Sequence, residues 1–172
     1  MEVYSLSSYI NILSYEDFIK LATEIYNITD FISKDYSDYK KWYFNKQIPR
    51  VITGDGEVFF IRDDDNKIIA MTSLKRCYDE RKICTLYVAS EYRCHGLATL
   101  LLTSAMEFLG TTKPVITLAG YKLPMFKPLF DKYGWKLTQV IKHPDDNKRD
   151  EMCFNGNLLE DGSKKVKEKI KK

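Results

Sequence analysis

Residues 86–99, L-Y-V-A-S-E-Y-R-C-H-G-L-A-T, hold the types and spacing best suited to chemistry. A β-type run closes at Val88, a short polar loop follows, and a helical pattern opens near Gly96. At such a junction the first helical N–H groups lack intrahelical acceptors and lie at the positive end of the helix dipole. The chemistry this favours is anion binding, a diphosphate above all. Gly96 brings the main chain close to a ligand without an intervening Cβ, and Ala98 keeps the first turn slim. Main-chain donors would do the holding, so the amides of Cys94 and His95 matter more than their side chains. Arg93 is read as a phosphate contact, with bracing of the loop as the alternative. His95 is read as a surface residue over the same anion.

Other reactive residues form no recognisable set. The four cysteines, Cys77, Cys84, Cys94 and Cys153, include no C-x-x-C pair, and His95 and His143 fall on different predicted elements. Zinc would need four ligands at characteristic spacing, so no metal is expected and the thiols are read as reduced. The run Asp63, Asp64, Asp65, Asn66 is read as a solvated hairpin tip, since the ligand spacing of a calcium loop is missing. Neither G-x-G-x-x-G nor a P-loop occurs, which disfavours a dinucleotide or Walker-type nucleotide site.

These residues sit in a chain of 172, 44% hydrophobic, 30% charged and 13% aromatic. That suits one globular domain, expected over residues 1–157, and excludes a disordered chain. The longest apolar run, residues 97–102, is broken by Thr99, far short of the roughly 20 residues that cross a bilayer. Glu2 near the start and the absence of an apolar leader argue for a cytoplasmic protein without membrane partners. The net charge of +3 resides in residues 160–172, where six Lys face Glu160, Asp161 and Glu168; the remainder balances 21 basic against 21 acidic residues. A balanced body argues against a nucleic-acid role, and the Lys-rich 158–172 tail is expected to be flexible.

The pattern gives the elements that must position the loop. Residues 3–10 alternate as a first strand. Ser14 caps a helix over 15–27, with Glu16 and Asp17 in its first turn and Phe18, Leu21, Ala22 and Ile25 on one face. A helix rich in Tyr36, Tyr39, Trp42, Tyr43 and Phe44 spans 36–46 and is ended by Pro49. Strands follow at 58–62, 67–75 and 81–88, then a helix over 96–109 and a mostly apolar strand at 114–119. A short helix over 124–133, interrupted by Pro128, and strands at 135–142 and 151–156 complete a mixed α+β sheet.

R-x-x-G-x-A, from Arg93 to Ala98, resembles the [Q/R]-x-x-G-x-[G/A] signature of the GCN5-related N-acetyltransferase (GNAT) family. V-A-S-E-Y before it resembles that family's V-x-P-x-Y lead-in, and F-D-K-Y-G-W after it the Y-x-K-x-G-F element. The resemblance implies an acyl-CoA N-acyltransferase fold: a mostly antiparallel sheet, splayed between strands 4 and 5 and flanked by helices. It implies acetyl-CoA as cosubstrate, its pantetheine arm held by backbone at Leu86 and Val88 and its diphosphate by the turn of Arg93, Cys94, His95, Gly96, Ala98 and Thr99. The Val88 amide would polarise the thioester carbonyl. The implied activity is acetyl transfer to a primary amine by direct attack in a ternary complex.

Departures from the family pattern fall on the proton-transfer groups. The usual acid is the Tyr of Y-x-K-x-G-F, where this chain has Phe130. Tyr121 and Tyr133 are the candidate substitutes, with ordinary aromatic packing as the alternative for both. The usual base position on strand 4 holds Cys84, and Glu80, with Asp79, is a second candidate base or a solvated turn. The aromatic cluster 36–44 falls where the resemblance puts the acceptor pocket, with core packing as its alternative. A CoA-binding module without turnover and a transferase acting on aminoacyl-tRNA are the competing functions. Dimers are frequent in the family, so a homodimer is one option for the assembly.

Overall fold

The computed structural model describes residues 1–157, so the Lys-rich tail lies outside the described residues. The chain divides into two compact units, Met1–Gly110 and the part from Thr111 onward. Both mix helices with antiparallel strands, giving the α+β class expected.

In the first unit, strands β1 (Val3–Ser5), β2 (Gly56–Arg62), β3 (Ile68–Cys77) and β4 (Glu80–Val88) pair in that order, each antiparallel to the next. The first strand is shorter than its alternation suggests, because residues Leu6–Tyr9 coil into a tight turn. The cause is Glu57. Its buried carboxylate accepts from the Ser5 hydroxyl at 2.9 Å, from the Ser7 amide at 3.1 Å and from the Ser7 hydroxyl at 2.5 Å. A buried carboxylate must be satisfied, and bending the chain at Leu6 brings those donors to it.

Helix α1 (Tyr15–Asn27) begins as predicted. Ser14 Oγ accepts from the Asp17 amide at 3.1 Å, with Glu16 and Asp17 in the first turn. Pro49 does not end the next helix. Helix α2 (Tyr39–Trp42) widens into a π-turn over Tyr43–Gln47 and continues as α3 (Ile48–Thr53), with Pro49 in the first turn of that last piece. Phe18, Leu21, Ile25, Tyr39, Tyr43 and Val51 pack on Val58, Phe60, Ile68 and Met71 on one face of the sheet. Helix α4 (Leu97–Leu109) lays Leu97 and Leu101 on Ile61, Ile69 and Ala70 on the other. Of the aromatic run, Tyr39 and Tyr43 are core residues; the Tyr43 hydroxyl donates to the Ala22 carbonyl at 2.8 Å, and Tyr39 shares a 2.8 Å hydrogen bond with Thr29.

In the second unit, β5 (Val115–Ala119), β6 (Leu137–Ile141) and β7 (Glu151–Phe154) form a ladder with β7 in the middle. Helix α5 (Leu123–Tyr133) runs through Pro128 without interruption; the one bond that proline cannot make would go to the Pro124 carbonyl, in the first turn. The helix closes on Gly134 (φ +66°), and the Trp135 amide returns to the Phe130 carbonyl at 2.9 Å. This cap takes up Trp135, so β6 starts two residues later than predicted.

Gly56 is held by a close approach. A Cβ there would lie 2.7 Å from the Leu74 carbonyl oxygen and 3.0 Å from the Arg50 Cβ. Gly56→Ala must shift backbone, and urea denaturation should show a loss of about 1–3 kcal/mol; unchanged stability would refute that crowding.

Candidate functional site

The loop between β4 and α4 grows out of the register of β4. Thr72 lies opposite Leu86 and Ala70 opposite Val88, and the Ala89 amide donates to the Ile69 carbonyl at 2.8 Å. Hydrogen-bonded and open pairs alternate in an antiparallel ladder. With Ala89 and Ile69 a bonded pair, Leu86 and Val88 belong to open pairs, and their N–H and C=O groups face the edge of β4 away from β3. Their side chains join Leu97 and Leu101 under α4. Upstream, Ser73 opposes Thr85 while Leu74 opposes Ile83, so Cys84 is the extra residue of a bulge. Its thiol is pushed up by desolvation, which makes it a poor thiolate.

After Val88 the chain turns through Ser90–Tyr92 and enters a left-handed pair, Cys94 at φ +61° and Gly96 at φ +82°. Amides of Cys94, His95, Gly96, Leu97 and Ala98 find no acceptor among the described residues, and the Leu100 amide donates to the Gly96 carbonyl at 3.0 Å. Five successive N–H groups at a helix N-terminus are a nest suited to an anion. A Cβ on Gly96 would meet nothing within 4 Å, so the glycine is required by its backbone angle and open space lies before it. Thr99 follows in the same first turn of α4.

The side chains around the nest brace it. Arg93 Nε donates to the Val88 carbonyl at 3.0 Å, and His95 Nδ1 lies 2.6 Å from the Arg93 carbonyl. The Tyr92 hydroxyl donates to Asp63 Oδ2 at 2.8 Å, while Asp63 Oδ1 accepts from the amides of Asp65 and Lys67. The Lys67 amide first, and the Tyr92 hydroxyl second, hold the Asp63 carboxyl below its ordinary value. Sequence reading gave the D-D-D-N tip no part in this loop, since a tie spanning 29 residues leaves no local signal.

The candidate acids and base sit in other settings. Tyr121 is half exposed on the turn Gly120–Lys122, with the Lys122 ammonium 5.5 Å from its ring. Tyr133 ends α5 and stacks on Trp135, centroids 5.3 Å apart. Phe130 is 1% exposed and packs against Phe126, Trp135 and Phe154. Glu80 does not lie on a solvated turn: it is buried and paired with Lys75 at 2.5 Å. Among the described residues no His, Cys, Asp or Glu cluster suits a metal ion, and no helix is long and apolar enough to cross a membrane.

A model of the Acetyltransferase (GNAT) family matches residues 16–117, the span that includes the β4–α4 loop. The chain belongs to the GNAT acetyltransferase family. Solved structures share its fold. A GNAT-family protein from Desulfovibrio desulfuricans matches with a TM-score of 0.61 at 11% identity, over 89% of this chain and 96% of that one. Nourseothricin acetyltransferase matches at 0.52 and 16% identity, over 58% of this chain and 64% of its own length. An acetyltransferase from Bacillus subtilis, solved in complex with CoA, matches at 0.50 and 16%, over 66% and 84%. No curated protein matches the sequence.

The aromatic shell around Phe130 gives a direct test of its role. Phe130→Tyr adds a hydroxyl inside that shell, and thermal unfolding should register a loss of about 1–3 kcal/mol for the unpaired group. Equal or greater stability would mean that a polar partner is within reach.

Proposed function

We propose that this GNAT-family chain is an acetyl-CoA-dependent N-acetyltransferase that acetylates a primary amine by direct attack in a ternary complex. The observation that carries the reading is the row of five amides from Cys94 to Ala98 without an acceptor among the described residues, with open space before Gly96. A diphosphate fits that row: it supplies acceptors for several donors at once and its charge is favoured by the α4 dipole. Backbone at Leu86 and Val88 would align the pantetheine arm, since their polar groups face the side of β4 away from β3. When bound, acetyl-CoA supplies the acetyl thioester, and the Val88 amide would polarise its carbonyl.

In this reading the chain contributes position and proton transfer. Arg93 braces the turn through the Val88 carbonyl, and its charge adds to the field that favours the diphosphate. Cys94, His95 and Thr99 contribute through the main chain of the same turn. Tyr121 and Tyr133 are kept as the candidate acids. Glu80 is left out as base, because its carboxylate is committed to Lys75. Phe130 favours one competing reading, a CoA-binding module without turnover, which would bind acetyl-CoA and release no CoA with any amine.

Calorimetric titration with acetyl-CoA tests the site. Micromolar binding is expected for the native chain, and Gly96→Glu should weaken it by about a hundredfold or more, since it sets a side chain at φ +82° and a negative charge among the anion-binding amides. No binding by the native chain, or equal binding by the variant, would sink the proposal.

A further inference from the structure

The nest is an unfavourable arrangement for a loop to hold alone. Five neighbouring N–H dipoles lack acceptors among the described residues, and two residues, Cys94 among them, sit in left-handed conformations that are unfavourable for a non-glycine residue. Cys94, His95 and Gly96 are exposed and contribute little packing. Something outside the loop must hold it.

Three ties do so, and they differ in kind. The Ala89 amide on the Ile69 carbonyl continues the β3–β4 ladder. Arg93 Nε on the Val88 carbonyl folds the loop back on its own strand. The third reaches another element, from the Tyr92 hydroxyl to Asp63 on the β2–β3 turn. Asp63 is suited to the task because its two oxygens are divided. Oδ1 closes its own turn by accepting from the amides of Asp65 at 3.0 Å and Lys67 at 2.9 Å, while Oδ2 is left for Tyr92 at 2.8 Å. The carboxylate is thus fixed before it receives the hydroxyl, and a charge-assisted bond to a fixed acceptor is stronger and more directional than a neutral one. Tyr92 in turn packs its ring on the cluster under α4, so its position is set from both ends.

We propose that Asp63 and Tyr92 are positioning residues for the diphosphate nest: the β2–β3 turn holds the β4–α4 loop in the conformation that converges its five amides. This rests on the acetyl-CoA reading above. It assigns to a cluster of surface carboxylates a part in cosubstrate affinity, without contact to the cosubstrate.

The test is calorimetry with two ligands, acetyl-CoA and S-acetylpantetheine, which lacks the diphosphate, on the native chain, Tyr92→Phe, Asp63→Ala and the double variant. Each single variant should weaken acetyl-CoA binding by about three- to tenfold, and the double variant no more than the worse single one, as expected for two ends of one interaction. Affinity for S-acetylpantetheine should be unchanged, a split that general loosening of the fold would not give. Native affinity for acetyl-CoA in Tyr92→Phe, or equal losses for both ligands, would overturn the assignment. Absence of acetyl-CoA binding by the native chain would instead remove the reading on which it stands.

Discussion

Backbone amides that find no acceptor among the described residues are the constraint around which the first unit is arranged. From Cys94 to Ala98 the chain presents five such groups, and it can do so only if β4 stops at Val88, the backbone goes left-handed at residues 94 and 96, and a helix starts at once. Each condition has a visible cause. The Ala89 amide ends the ladder on Ile69. Gly96 supplies φ +82° without a Cβ penalty. His95 turns its ring nitrogen onto the Arg93 carbonyl, so the acceptor side of the turn is occupied and the donor side remains open.

The helix behind the nest is polarised to match. At its C-terminal end Gly110 (φ +68°) closes α4, and Arg76 lies 4.1 Å from the Phe108 ring while donating to the Phe108 carbonyl at 2.6 Å. A cation there satisfies carbonyls that the helix leaves over and complements the negative end of its dipole. The N-terminal end has no such side-chain cap. One end is closed by protein and the other is open to an anion. Leu97, Leu101 and Ala105, a turn apart, are buried and anchor the helix between the two ends.

Local signals reached the fold further than they reached the site. Ser14 with Glu16 and Asp17 marked the start of α1, and the R-x-x-G-x-A spacing marked the turn, because capping and backbone freedom are set by neighbours in sequence. The errors came where distant residues decide. Glu57 bends residues 6–9 from 50 positions away, so alternation over 3–10 was misleading. Pro49 is a stop signal only if the preceding turn is α-helical, and the π-turn over Tyr43–Gln47 removes that premise. Glu80 looked like a hairpin-tip carboxylate, but it is the buried partner of Lys75. Asp63 looked like solvated charge, and its bond to Tyr92 has no counterpart in the sequence pattern.

The absence of a hydroxyl at position 130 has a physical balance on both sides. A tyrosine there would be a weak acid for this purpose. Its phenol, with a pKa near 10, would have to protonate a thiolate whose thiol has a pKa near 8.5, a transfer that runs uphill by about two kcal/mol. General-acid help under such a mismatch lies at the low end of its range, while positioning and carbonyl polarisation are untouched by the change. On the other side, Phe130 fills the core of the second unit, its ring 4.6 Å from that of Phe154 and 5.4 Å from that of Trp135. Against tyrosine the gain is the cost of an unpaired hydroxyl avoided in that shell, about 1–3 kcal/mol. A chain that keeps its amide nest and turns this hydroxyl into core gives up little chemistry for that stability.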